Sequence, residues 1–293
     1  MNQLSLRQRT QVITALVEGN SIRATCRMTG VAKGTVTRLL IDVGKACYLY
    51  QFKNLKNLKS TRLQCDEIWS FCYAKQDHLP RRKRGKLGYG DVWTYVAMDA
   101  DIKLVPCWLV GLRTLRFATE FLTDLRRRLI NRVQLTTDGH RMYLDAVDDV
   151  FGDEIDYAQL IKLYGAEPGG DKRYTPSECL GTETHVIRGN PDRTQISTSY
   201  IERQNLTMRM AMRRFTRLTN GFSKKIDNLK HAVALHFMFY NFARVHKTLG
   251  VTPAMAAGIT DHVWSIGEII QDTAAYLPQT YVQKKFQIQS NSN

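Results

Sequence analysis

The order of strand-like and helix-like segments between residues 62 and 163 constrains this chain most. Residues 62–73 place Leu63, Cys65, Ile68, Trp69, Phe71 and Tyr73 around an acidic pair, Asp66-Glu67, a β-rich pattern. Two further strand-like runs, 91–98 and 102–110, follow across the short connection Asp99-Ala100-Asp101. Three successive strands with short connections predict an antiparallel meander. The period then changes. Residues 115–130 set Phe117, Phe121, Leu122, Leu125 and Leu129 along one side of a helix, and Arg126-Arg127-Arg128 fall near its C-terminus, where cations are favoured. A short strand over 132–137 stops at Asp138-Gly139. A helix over 142–150 and a strand over 157–163 come next. Residues 165–196, with Pro168, Gly169-Gly170, Pro176 and Pro191, read as an insertion loop, and a last helix starts near Ser199. The expectation is an α/β domain, βββαβαβ, an insertion, then α, with a mixed five-stranded sheet flanked by helices. In that order the first and fourth strands are neighbours, and the last helix packs across them.

Such a topology draws three distant acids together. Asp66 lies in the first strand, Asp138 follows the fourth and Glu202 sits on the last helix. Convergent carboxylate oxygens suit hard octahedral cations, Mg²⁺ or Mn²⁺. Two such ions roughly 4 Å apart can activate an attacking oxygen and stabilise a leaving one at a phosphodiester. Glu202 also opens a helix face that continues through Asn205, Arg209 and Arg213, beside an apolar stripe of Ile201, Met208, Met212 and Phe215. With Arg203 these residues would lay cations next to a metal-binding carboxylate. Taken alone, the same pattern fits a surface ion pair on an amphipathic helix. Neighbours in a strand point to opposite faces, so only one of Asp66 and Glu67 faces the site easily. Asp138 before Gly139 also suits a turn. Asp91, Asp99 and Asp101 read as turn or strand-edge acids, His140 as a local hydrogen-bonding residue and His246 as an outer brace.

The remainder of the chain points to a polyanionic partner. The 293 residues carry a net charge of +15 and a pI near 9.6, as nucleic-acid-binding proteins do. Helices over 6–17, 21–28 and 33–43, the last two joined by Thr29-Gly30, follow a helix-turn-helix plan. Its outward residues Lys33, Thr35, Thr37 and Arg38 suit phosphates and base edges in a major groove, and residues 1–50 hold seven Lys/Arg against two acids. A three-helix bundle for oligomer contacts has the same pattern. The expected division is a helix-turn-helix domain at 1–50, a linker at 51–61, a catalytic domain at 62–245, and a C-terminal helical segment at 246–293 with a flexible tail beyond Lys284. Six cysteines lack zinc spacing, which predicts reduced thiols. The N-terminus has no apolar signal core and no run of about 18 apolar residues occurs, so the expectation is a soluble cytoplasmic protein without membrane contact.

Three segments then carry a resemblance. Cys65-Asp66-Glu67-Ile68-Trp69, Thr137-Asp138-Gly139 and Ser199-Tyr200-Ile201-Glu202-Arg203-Gln204-Asn205 resemble, in order and spacing, the signatures of bacterial insertion-sequence transposases of the DDE type, and most nearly their InsB-like branch. Tyr240-Asn241-Phe242-Ala243-Arg244-Val245-His246-Lys247 through Gly258 resembles the segment that follows the catalytic helix there. The resemblance implies an RNase H-like catalytic domain and Asp66, Asp138 and Glu202 as catalytic, metal-binding acids, with Arg209 as the basic residue seven positions on. It further implies two divalent cations, double-stranded DNA (terminal inverted repeats and target) as partner, a homodimer or higher oligomer on the bacterial nucleoid, and cleavage followed by joining of 3′-hydroxyl ends. The helix-turn-helix departs from the best-known InsB-like members, which carry a separate zinc-binding recognition segment. A regulator derived from such an enzyme with catalysis lost, and a nuclease of the same fold, are the competing readings.

Overall fold

The computed structural model describes residues 4–165, 179–216 and 219–278. Three helices open the chain: α1 (Leu6–Val17), α2 (Ile22–Thr29) and α3 (Lys33–Asn54). Ser5 caps α1 in a reciprocal box, its hydroxyl accepting from the Gln8 amide while its own amide donates to Gln8 Oε1 at 3.0 Å. Ser21 caps α2, and Gly30 ends it at φ +69°, the left-handed conformation that glycine adopts without a Cβ penalty.

The third helix does not end at Val43. It runs on to Asn54 because Gly44 acts as a contact and not as a stop. A Cβ there would lie 2.2 Å from the carbonyl oxygen of His231 on α7 (Ile226–Met238). The missing side chain lets the two helices cross at short range, and Gln51 Nε2 donates to the Ala234 carbonyl at 3.1 Å. The expected linker at 51–61 is therefore helix at its start and a packed segment after it. Leu55 and Leu58 are buried, and Arg128 donates to the carbonyl of Leu55 at 2.9 Å.

The sheet comprises β1 (Arg62–Cys72), β2 (Gly90–Asp99), β3 (Trp108–Gly111), β4 (Gln134–Asp138), β5 (Asp156–Tyr164) and β6 (Cys179–Arg188), in the order β3-β2-β1-β4-β5-β6. β1 runs antiparallel to β2 and parallel to β4, and β4 parallel to β5. The first and fourth strands are neighbours, as expected, but the sheet has six strands and not five. β6, antiparallel to β5, comes from the stretch read as an insertion loop, whose residues 166–178 lie outside the described residues. Both faces of β6 are largely exposed, so no burial alternation marked it as a strand.

The third strand is also shorter than the expected 102–110. Asn241 explains why. Its side chain accepts from the Val105 amide at 3.0 Å and donates to the Val105 carbonyl at 2.9 Å. A buried amide thus satisfies backbone that a neighbouring strand would otherwise pair.

Helices α4 (Leu115–Arg128), α5 (Met142–Phe151) and α6 (Ser199–Ala211) complete the central domain, and α8 (Pro253–Ala256) and α9 (Ile266–Asp272) follow α7. α7 packs on α3 and sets Phe237 against Trp108 of β3, ring centroids 4.9 Å apart. One contiguous core runs from Val12 and Leu40 of the N-terminal helices to Tyr95, Phe121 and Phe237. The tail expected to be flexible beyond Lys284 lies outside the described residues. No described helix is long and apolar enough to cross a membrane.

Candidate metal centre

The parallel pair β1–β4 is hydrogen-bonded only from Arg62 to Gln64 against Gln134 to Thr136. Beyond that point the strands separate, and Asp66 and Asp138 each lie two residues past the last paired positions. The crevice at the carboxyl ends of parallel strands is where open α/β sheets place ligands. Here it gathers acids. One carboxylate oxygen from each of Asp66, Glu67 and Asp138 lies within 4.8 Å of the other two.

The faces of β1 alternate, and each is held differently. On one face, Gln64 Oε1 accepts from the amides of Tyr200 and Ile201, both at 3.0 Å, and anchors the first turn of α6. Asp66 Oδ2, on the same face, accepts from Asn205 Nδ2 at 2.8 Å. On the other face, the Glu67 carboxylate has no exposed side-chain surface and takes Arg113 Nε at 2.7 Å and the Tyr143 hydroxyl at 3.1 Å. Asp66 and Glu67 thus have different partners on the two faces, yet one Glu67 oxygen still lies in the cluster with Asp66 and Asp138. Asp138 Oδ1 accepts from the His140 amide at 3.1 Å, and His140 Nδ1 accepts from the Met142 amide. His140 thus makes the local bonds expected of it.

Crowding shows in the proton affinities. Burial, then the charges of Glu67 and Asp138, with a smaller contribution from Glu202, pushes the Asp66 carboxyl up from 3.8 to about 7. Glu67 is raised as well, chiefly by burial, although Arg113 opposes the shift. Like charges brought together in a low-dielectric gap disfavour ionisation unless a cation joins them. The donor set fits such a cation. It is oxygen-only, as hard divalent metals prefer, and Asn205 Oδ1 is buried beside it without a hydrogen-bond partner among the described residues.

Glu202 stands apart from this cluster. Its carboxylate, 40% exposed, accepts from Lys162 Nζ of β5 at 2.5 Å and from Thr198 Oγ1 at 2.7 Å. Its charge reaches Asp66, but the structure does not bring its oxygens into the group of three. Lys162, Arg113 and Tyr143 were not anticipated. Each is brought in by packing from another element, and none is marked by spacing or neighbours in the chain.

The expected DNA-contacting residues divide. Lys33, Arg38 and Arg203 are exposed, while Thr35 and Thr37 are half-buried, and the Thr37 hydroxyl donates to the Lys33 carbonyl at 2.9 Å. Asn205 departs from the expectation of an outward basic face. It is buried and its amide is engaged by Asp66. Arg209 is half-buried. Arg213 is exposed but does not continue the α6 face, because the helix ends at Ala211 and Met212 is extended at φ −129° and ψ 108°. The apolar stripe behaves as expected, with Ile201, Met208, Met212 and Phe215 all buried.

No protein-family model and no curated protein matches the chain. Among solved structures it is similar to piggyBac transposase in a synaptic complex with hairpin DNA, at 10% identity over 96% of this chain and 72% of that one, TM-score 0.38. A pre-cleavage Mos1 transpososome aligns at 8% identity over 81% and 78%, TM-score 0.25. Mos1 transposase in a paired-end complex with the left transposon end aligns at 12% identity over 54% and 60%, TM-score 0.21. The structural neighbours thus include transposases. At these identities and scores the likeness carries no argument about mechanism.

Proposed function

We propose that the chain is a DDE-type transposase of the insertion-sequence kind, with an RNase H-like catalytic domain. The observation that carries this reading is the carboxylate group of Asp66, Glu67 and Asp138 at the parting of β1 and β4, with α6 docked over β1 through Gln64 and Asn205. Asp66 and Asp138 would hold Mg²⁺ or Mn²⁺, and Glu202, one turn before Asn205, would complete the set. Two bound ions would supply Lewis-acid polarisation of the scissile phosphodiester.

The chain's own residues do the rest. Arg113 and Tyr143 hold and orient Glu67, and both oppose the rise that burial gives its carboxyl. Asn205 orients Asp66 through Oδ2 and the Glu67 amide orients it through Oδ1, and each oxygen would keep a lone pair for a cation. Lys162 holds Glu202 over the crevice and is placed to meet a phosphate oxygen. Residues 1–50 bind the element's terminal repeats, with Lys33, Thr35, Thr37 and Arg38 reading the groove, and Arg203, Arg209 and Arg213 contact phosphates. Glu67 is a second candidate for the third acid, favoured by its place in the cluster.

The test is Mg²⁺- or Mn²⁺-dependent cleavage and joining of a labelled fragment that carries the element's end. Asp66→Ala, Asp138→Ala and Glu202→Gln are each expected to abolish both steps and leave DNA binding intact. Loss with Glu67→Gln but not with Glu202→Gln would move the third acid to Glu67. Tight binding without cleavage by the wild type, under either metal, would replace the enzyme with a transposase-derived regulator.

A further inference from the structure

A cavity of about 690 Å³ lies away from the acid cluster, between the α1–α2 turn, the start of α3, the segment after α6, and α7. Its lining includes Arg23, Lys33, Arg213, Arg214 and Lys224, and no Asp or Glu among the described residues. Five cations around one concavity without a carboxylate create a strongly positive field, which low-dielectric walls focus.

Arg214 is the telling member. It is partly buried, and its Nε donates to Ser223 Oγ at 2.8 Å. No ion pair engages it among the described residues. Burial draws its guanidinium pKa down to about 10. A guanidinium withdrawn from water normally meets a carboxylate, since leaving the charge unpaired is costly. Here one edge is oriented by a serine and the terminal amino groups have no protein acceptor among the described residues. His236 also lines the cavity, buried, with its Nε2 unpartnered among the described residues. A guanidinium whose terminal amino groups meet no protein acceptor among the described residues presents the planar fork of donors that recognises a phosphate.

The walls approach one another closely where they meet. Gly19, at φ +81°, lies against the carbonyls of Met210 and Ala211 at the end of α6, where an added Cβ would sit 3.2–3.3 Å from their oxygens. Gly221 approaches the backbone of Arg213 so closely that a Cβ would lie 2.6 Å from its carbonyl oxygen. Two glycine contacts therefore seat the α1–α2 turn against the end of α6 and bring Gly221 close to Arg213.

We propose that this cavity is a phosphodiester-binding site that grips one DNA strand between the N-terminal helices and the segment after α6, with Arg214 as its central donor. The identity of the polymer rests on the DNA-processing reading above, whereas the anion chemistry does not. Lys33 and Thr37 of α3 share the cavity with Arg213, so the residues read as groove contacts and those after α6 would form one continuous track.

The test uses the full chain and a labelled duplex of arbitrary sequence, with affinity measured by fluorescence anisotropy over a series of KCl concentrations. Arg214→Gln is expected to weaken binding about tenfold and to lower the slope of log K against log [salt] by about one, the loss of one phosphate contact. Arg214→Lys should keep the slope. Removing an unpaired cation should leave the melting temperature unchanged or higher, whereas a packing role would lower it. Inorganic phosphate should raise the melting temperature of the wild type and not that of Arg214→Gln. Should Arg214→Gln fail to fold, Lys224→Gln at the exposed rim carries the same expectation. Unchanged affinity and slope in a folded variant overturn the proposal, and phosphate stabilisation without an effect on DNA removes DNA as the occupant. A wild type that binds duplex through Arg214 but never cuts it would remove the proposed activity and leave this site standing.

Discussion

Asp66→Asn in the metal-free protein should stabilise the fold at neutral and alkaline pH, an effect opposite to that of most substitutions at a buried hydrogen-bonded residue. The Asp66 carboxyl is raised from 3.8 to about 7 by burial and by its acidic neighbours. It therefore holds its proton more tightly in the native state than in the unfolded one. Stability then falls as pH rises from about 4 towards 7, and is flat above that window as far as this group is concerned. The gap between 3.8 and about 7, at about 1.4 kcal/mol per pH unit, bounds the penalty near 4 kcal/mol, and about half of that is the expected effect. Asparagine removes the charge and keeps the carbonyl that accepts from Asn205, while giving up the bond that Asp66 Oδ1 accepts from the Glu67 amide at 2.8 Å. Urea unfolding in EDTA, wild type beside variant, at the two ends of the window is the assay. The wild type should lose about 2 kcal/mol more than Asp66→Asn between them. Mn²⁺ should restore the wild type at the alkaline end, by about 2.7 kcal/mol at a hundredfold excess over its dissociation constant, and restore the variant little. Parallel pH profiles, or a variant less stable than the wild type without metal at the alkaline end, would refute the account of like-charge crowding.

Two further outcomes follow from the packing. Gly44→Ala forces a methyl group to within 2.2 Å of the His231 carbonyl, so α3 and α7 must move apart; a loss of about 1–3 kcal/mol in chemical denaturation is expected. Arg113→Ala leaves the buried Glu67 carboxylate with only the Tyr143 hydroxyl, and should cost about 3 kcal/mol; the double variant with Glu67→Gln should recover most of it in the same assay.

Much of the architecture is legible in the chain because it is local. Ser21 and Gly30 mark helix ends through bonds that span only a few residues, and Ile201 and Met208 are buried on α6 as its period requires; Met212 and Phe215 are buried too, although they lie beyond the end of that helix. That Asp66 and Asp138 lie close together was legible because the strand order is, whereas Glu202 lies outside the group of acids they form with Glu67. The departures from local pattern are non-local in origin. The third helix runs past its expected end at Val43, where His231, far along the chain, makes Gly44 a contact point. Asn241 replaces a strand partner for Val105. β6 pairs through its backbone, to which side-chain patterning is blind when both faces are wet.

The same division holds at the site. Sequence by itself determined that the chain is basic, that it alternates strands and helices in an order placing Asp66 beside Asp138, and that Glu202 lies on a helix with Asn205. Tertiary structure alone decided how those side chains are used. It turned Asn205 inward onto Asp66, tied Glu202 to Lys162, and brought Glu67 into the cluster with Arg113 and Tyr143 behind it. The reason is physical: capping and periodicity act over a turn or two of chain, whereas a carboxylate's partners are set by where strands part and which elements pack into the gap.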